Sequence, residues 1–193
     1  MRVTSVRPLA ALLASALILP AMTVHAGSAS GPASPEQPAT TPETQASALG
    51  LLSAINTGEI KAGQLALSQA TDARTKRYAQ HMIDEHTGNN RRLAAWPVDA
   101  RPASAQAKTA EAERTLVMLK QAKGPTFDGA YLKTMARDHQ SALQILDSTL
   151  LPAARDPAAS AFLKTTRSHV QDHLQQAQQL LAEMDGKAEV RSR

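Results

Sequence analysis

Cysteine is missing altogether from this 193-residue chain, so neither a disulfide nor a lipidated N-terminal cysteine can exist. Stability must come from packing or from bound ligands. Aromatic residues make up only 3%, while Ala, Leu and Gln are plentiful. That composition suits an aliphatic helix-packed core rather than a strand-rich sandwich, and no alternating run with flanking turn residues is present. The longest apolar run, Leu9 to Leu19, is too short for a stable transmembrane span. Several chemical signatures are absent too. No nucleophile elbow, phosphate-binding glycine loop or dinucleotide motif occurs. There is no Glu-x-x-His, which di-iron carboxylate bundles carry on two of their helices, so ferroxidase or oxygen-activating chemistry is not expected. An excess of one charge is also lacking. Without Arg2 and Arg7 the 21 basic residues fall to 19 against 17 acidic, spread along the chain, and nucleic-acid binding is not expected.

What is present begins with an export signal. Arg2 and Arg7 give a positive start, the apolar run follows, and Val24-His25-Ala26 forms a small-residue cleavage site. The expected organisation is a signal peptide over 1–26, a linker rich in Pro, Ser, Thr and Ala over 27–45, a helical bundle over 46–186 and a polar tail over 187–193. An exported, periplasmic or envelope-associated protein follows from this, with no transmembrane span in the mature chain.

The bundle is organised around Phe127 to Leu150. With about 100° per residue, Tyr131, Leu132, Met135, Ala142, Leu143, Leu146 and Leu150 share one face, and His139 lies among them. Tyr78, Met82, His86 and Leu93 repeat the spacing of Tyr131, Met135, His139 and Leu146. Helix 1 is expected from a Thr41 cap with Pro42 in its first turn to about Ala70, with a seam of Leu52, Ile55, Glu59, Ala62, Gly63, Ala66 and Ala70. Helix 2, which Thr71 and Asp72 can cap, runs to Trp96, where Pro97 stops it. Between Pro97 and Gly124 the pattern gives a crossover with a shorter helix capped by Ser104. Helix 3 ends near Pro152. Helix 4 starts at Asp156-Pro157 and closes at Gly186, with Phe162, Thr166, His169, Val170, His173 and Ala177 on one face.

Two helical hairpins joined by a long crossover form the connectivity of an all-α, ferritin-like four-helix bundle. Short loops make each hairpin antiparallel, so heights can be matched by counting at about 1.5 Å per residue. Glu59 and His86 then face each other. The same count sets His139 beside His169, with His173 one turn further along.

The runs Gly58-Glu59-Ile60-Lys61-Ala62-Gly63-Gln64-Leu65-Ala66, Ala79-Gln80-His81-Met82-Ile83-Asp84-Glu85-His86, Phe127-Asp128-Gly129-Ala130-Tyr131-Leu132 and His173-Leu174-Gln175-Gln176-Ala177 resemble an exported bacterial domain-of-unknown-function family. It is number forty-one forty-two, often labelled predicted outer membrane protein. The similarity covers roughly Ala46 to Leu181. It implies a ferritin-like bundle, an envelope location and interior polar positions at Glu59, His86, His139 and His173. It brings no activity with it.

The expected metal set is Glu59, His86, His139, His173 and His169, holding one copper or zinc ion. Met82 and Met135, one turn from two of the histidines, add soft thioethers that favour copper in an oxidising compartment. The leading expectation is non-catalytic metal binding or an envelope stress-related role. Its competitor is a helical interaction module whose Glu59, His86, His139, Tyr78 and Tyr131 form only a hydrogen-bond network. A metal-dependent oxidoreductase comes third. An envelope protein or a second copy of the chain is the expected partner.

Overall fold

In the computed structural model residues 44–191 are described, with side chains to residue 186; the expected signal, most of the linker and the Thr41–Pro42 cap lie outside them. The chain is all-α. Helix α1 spans Gln45–Gln69, α2 Ala73–Leu93, α3 Ala103–Gln121 and α4 Pro125–Ile145. A π-helical turn over Leu146–Leu150 and a last turn, α5 (Leu151–Ala153), prolong α4, and α6 covers Pro157–Arg191.

Local chemistry sets most of these boundaries. The cap of α1 is Thr44, whose Oγ1 accepts from the Ser47 amide at 3.1 Å, so α1 starts later than a Thr41 cap implies. Asp72 caps α2 as expected, accepting from Arg74 N at 2.8 Å. Helix α2 stops at Leu93, short of Trp96, because the chain must leave α-geometry ahead of Pro97. It turns back to α1, where Asp99 N donates to Ala46 O at 2.9 Å. Trp96 packs against Phe162 with ring centroids 5.4 Å apart. Asp156 caps α6, accepting from Ala158 N and Ala159 N at 2.7 and 2.9 Å.

Two further boundaries need correction. The crossover helix α3 has 19 residues, follows Pro102 rather than a Ser104 cap, and packs along α1. It comes so close that a Cβ on Gly58 would stand 2.7 Å from Ala112 Cβ. The helical run begun by α4 ends at Ala153, one residue past Pro152 and so near it as expected. Proline cannot donate to the carbonyl four residues back and its ring crowds that group; the π turn just before it widens the helix there. Gly186 does not close α6, which carries on to Arg191 through the start of the expected tail. The only positive-φ glycine among the described residues is Gly124, at the start of α4.

Helices α1 and α2 form one hairpin and α4 and α6 the other, the principal packing pairs being α1 with α2, α1 with α3, and α4 with α6. Contacts between hairpins give their directions. The α1 end lies against the α4 start, through Thr71 and Asp128, while Glu59 meets His139 midway. Helices α1 and α4 are therefore antiparallel, and so are α2 and α6, through Tyr78 with His173 and Asn89 with Thr166. Two apolar clusters fill the interior. One gathers Leu49, Leu52, Leu93, Leu146, Leu150 and Leu163, the other Tyr78, Met82, Phe127, Tyr131, Met135 and Leu119. On every long helix of the hairpins the residues between the clusters are polar and buried. They are Asn56 and Glu59, His86, His139, and His173.

One buried carboxylate ties the hairpins at the opposite end from Trp96. Asp128, fully buried on α4, accepts from Thr71 N at 3.0 Å, Thr71 Oγ1 at 2.6 Å and Asp72 N at 3.3 Å. It thereby accepts from amides of the α1–α2 turn, beyond the last hydrogen bonds of α1. Replacing it with alanine orphans all three donors, so Asp128→Ala is expected to cost about 2–3 kcal/mol. Urea unfolding checks this as a lower midpoint with an unchanged slope, and Asp128→Asn, which keeps an acceptor, should lose less.

Candidate metal centre

The polar layer draws one imidazole from each of α2, α4 and α6. His86, His139 and His173 are 4%, 1% and 3% exposed. One ring nitrogen of each lies within 4.8 Å of the others. Ring centroids are 5.8 Å apart for His86 and His139, 5.5 Å for His86 and His173, and 5.3 Å for His139 and His173.

Hydrogen bonds at the backs of two rings decide which nitrogens are bare. His139 Nδ1 stands 2.8 Å from the Met135 carbonyl oxygen. A carbonyl only accepts, so Nδ1 carries the proton and Nε2 a lone pair. His86 Nδ1 lies 3.1 Å from Asn56 Oδ1, while the same amide donates from Nδ2 to Asn90 Oδ1 at 2.9 Å. That chain again puts the proton on Nδ1. The buried ring nitrogens without a hydrogen-bond partner are His86 Nε2, His139 Nε2 and His173 Nδ1.

Burial keeps all three rings neutral. Desolvation, the largest influence, lowers His86 well below the usual histidine range, His139 to about 4 and His173 to about 3. Neighbouring imidazoles push His86 and His173 further the same way. Glu59 stands behind His139, Oε1 at 3.9 Å from Nδ1. Desolvation, with the nearby Asp138 charge, raises its carboxyl to about 8. At neutral pH this contact therefore joins two uncharged groups and is not an ion pair. Glu59 Oε2 has no partner. It borders a cavity of about 50 Å³ between α1, α3 and α4, with Lys108, Glu111 and Asp138 on its walls.

Of the five residues proposed from sequence, the structure brings His86, His139 and His173 together and sets Glu59 behind His139. His169 lies outside the cluster, half exposed, with Nδ1 3.0 Å from Glu85 Oε2. A hairpin centred on Arg155 puts the residue level with His139 midway between His169 and His173, so height does not choose. Direction around the helix does. The buried stripe of α6 runs through Thr166, Val170, His173 and Ala177, and His169 is about 60° from Thr166, on the edge facing α2. The pairing of Glu59 with His86 is corrected likewise. Asn56 faces His86, and Glu59, about 60° further round α1, turns to α4.

Asn56 and Asp128 are buried polar residues that the sequence reading left out. Each had a signal, for Asn56 lies four after Leu52 and seven before Gly63, and Asp128 is four before Leu132 and seven before Met135. Tyr78 donates to the His173 carbonyl at 3.2 Å, but Tyr131 Oη finds no partner. The hydrogen-bond network expected of a purely structural cluster is thus left open at several atoms.

The metal-free protein should have a stability maximum close to pH 6.5–7. Below the ordinary histidine value of 6.5 the unfolded chain takes up protons at three sites that stay bare when folded, so stability falls with acidification until the folded values of about 4 and 3 are approached. Glu59 acts with the opposite sign. Between 4.5 and about 8 the folded chain holds a proton the unfolded chain has lost, so stability declines as pH rises. Chemical unfolding from pH 4.5 to 8.5 checks both arms, and Glu59→Gln should remove the alkaline decline and steepen the acid arm.

Among the described residues no helix is long and apolar enough to cross a membrane. No curated protein and no solved structure matches the chain. A family model does match, over residues 29–180. It spans most of the chain and includes every histidine of the buried layer, and the protein belongs to the family described as Domain of unknown function (DUF4142).

Proposed function

We propose that this is an exported protein of the cell envelope that binds one copper or zinc ion, without catalysis, through His86, His139 and His173. The observation that carries the reading is the convergence of three neutral, buried imidazoles, each offering a ring nitrogen within 4.8 Å of the others and each with one ring nitrogen that has no hydrogen-bond partner. Two of the rings are bonded at Nδ1, which leaves Nε2 as the lone-pair nitrogen, as bonds to the outer partners of metal-bound histidines do. Modest side-chain rotation closes a 4.8 Å spread onto metal–nitrogen bonds of about 2.1 Å. Neutral imidazole suits both ions, and a three-histidine set leaves a position for a further ligand. Buried Met82 and Met135, one turn from His86 and His139, offer the softer surroundings that copper prefers. The three imidazoles leave the ion's charge uncompensated. Glu59 behind His139 is placed to supply the missing negative charge.

Chelator-treated protein titrated with Zn²⁺ and with copper tests this directly. A bound ion at about a hundredfold excess over Kd should add roughly 2.7 kcal/mol, a rise in Tm of about 5–10 °C for a domain of this size. His139→Ala should abolish the rise and His169→Ala should leave it intact. Glu59→Gln should weaken binding about tenfold. Melting curves unmoved by either metal at micromolar concentration would sink the proposal.

A further inference from the structure

Two of the buried histidines, His86 and His173, border a crevice between α2 and α6. A cavity of about 160 Å³ there is lined by His86, His169 and His173, with Glu85, Asn89 and Thr166. A second, of about 200 Å³, is lined by His81, Glu85, His169, Asp172, His173 and Gln176. Glu85 and His169 border both, and their 3.0 Å contact bridges α2 and α6 across the crevice. The ring of His173 also faces two ways. Its centroid is 5.3 Å from exposed His81 on the outside and 5.3 Å from His139 on the inside. Two buried nitrogens without partners, His86 Nε2 and His173 Nδ1, belong to residues lining this crevice. The chemistry therefore forms a series of solvent-facing carboxylates and imidazoles, then the shared His173, then the enclosed three-nitrogen set.

We propose that this crevice is a loading port, in which Glu85, His81 and His169 take up a hydrated divalent transition-metal ion and hand it to His173. The inference rests on the metal-binding reading of the buried set and assigns a new role to outer residues that take no part in the final site. Carboxylate and exposed imidazole exchange ligands for water readily and lie on the surface, where an arriving ion is still hydrated. A buried set of neutral rings has neither charge to attract the ion nor water to ease its dehydration. The acidic groups Glu85 and Asp172 supply local attraction, which acts on arrival rate. Because the outer residues contact the ion only in transit, they alter the rates of gain and loss together and leave Kd alone.

The test is Zn²⁺ uptake by the full chain, followed by stopped flow with a zinc-responsive dye, beside an equilibrium titration. The triple variant His81→Ala, Glu85→Gln, His169→Ala should load about tenfold more slowly or worse, and release should slow equally, with Kd unchanged. All three positions lie at the surface or its edge, and an unaltered far-ultraviolet spectrum confirms the fold. Uptake as fast as or faster than the parent's, or a change confined to Kd, overturns the port while leaving the buried site standing. No Zn²⁺ binding by the parent itself removes the site and the port together, and His139→Ala supplies that baseline.

Discussion

Desolvation of a polar layer trapped between two apolar clusters governs this molecule. Leu49, Leu146 and Leu163 close the layer on one side, and Met82, Tyr131 and Met135 on the other. Burial strips most of the solvation from these groups, and the imidazoles and the Glu59 carboxyl respond by giving up their charged forms. Neutrality is what leaves a lone pair on each of the three histidines, which an imidazolium lacks. The Met135 carbonyl and the Asn56 amide then determine where two of those lone pairs point. Packing, protonation and tautomer are thus consequences of one placement of side chains along four helices.

Much of that placement could be read from spacing. The Tyr, Met and His repeat on α2 and α4 falls on the apolar stripe in both helices, so His86 and His139 identified themselves as interior by the same 3.6-residue period that marks the leucines. What spacing does not show is direction at finer resolution than the stripe. Asn56 and Ile55 are neighbours on α1, and the apolar one was assigned to the seam although the amide is the buried one. Asp128 lies in the first turn of α4, where an acidic residue needs no partner beyond the helix end. Its buried role exists only because the α1–α2 turn comes to rest against it. His169 and His173 are separated by one turn and about 40°, a difference settled by how α6 leans on α2 and α4. Gly186 misled for another reason. A glycine ends a helix where the chain must turn, and α6 has no turn to make there.

The layer is also unequally sealed. Between α1 and α2 the amides of Asn56 and Asn90 bond to each other, and Gly63 lets α1 approach so near that a Cβ there would stand 2.9 Å from Ile83. Behind Glu59, α3 lies over the junction of α1 and α4, and its Lys108 and Glu111 border the small cavity there. Between α2 and α6, the interhelical bonds Tyr78–His173, Asn89–Thr166 and Glu85–His169 are spaced along cavities. An asymmetric covering of this kind makes the histidine set reachable while the bundle remains folded.

The layer carries an energetic cost. Each buried polar atom left without a partner costs about 1–3 kcal/mol, and the layer contains several, against a net stability for a whole domain of about 5–15 kcal/mol. A cluster kept only to fix packing register is better served by groups that satisfy one another, or by apolar residues of similar volume. Here the bonds that do form, at His139 Nδ1 and His86 Nδ1, satisfy the backs of the rings and leave the fronts bare. On the proposed reading, one ion would satisfy three fronts at once and return on binding the free energy withheld in the empty fold. Stability and occupancy would then be linked by mass action, so that the arrangement which weakens the unliganded bundle is the one a bound ion would strengthen.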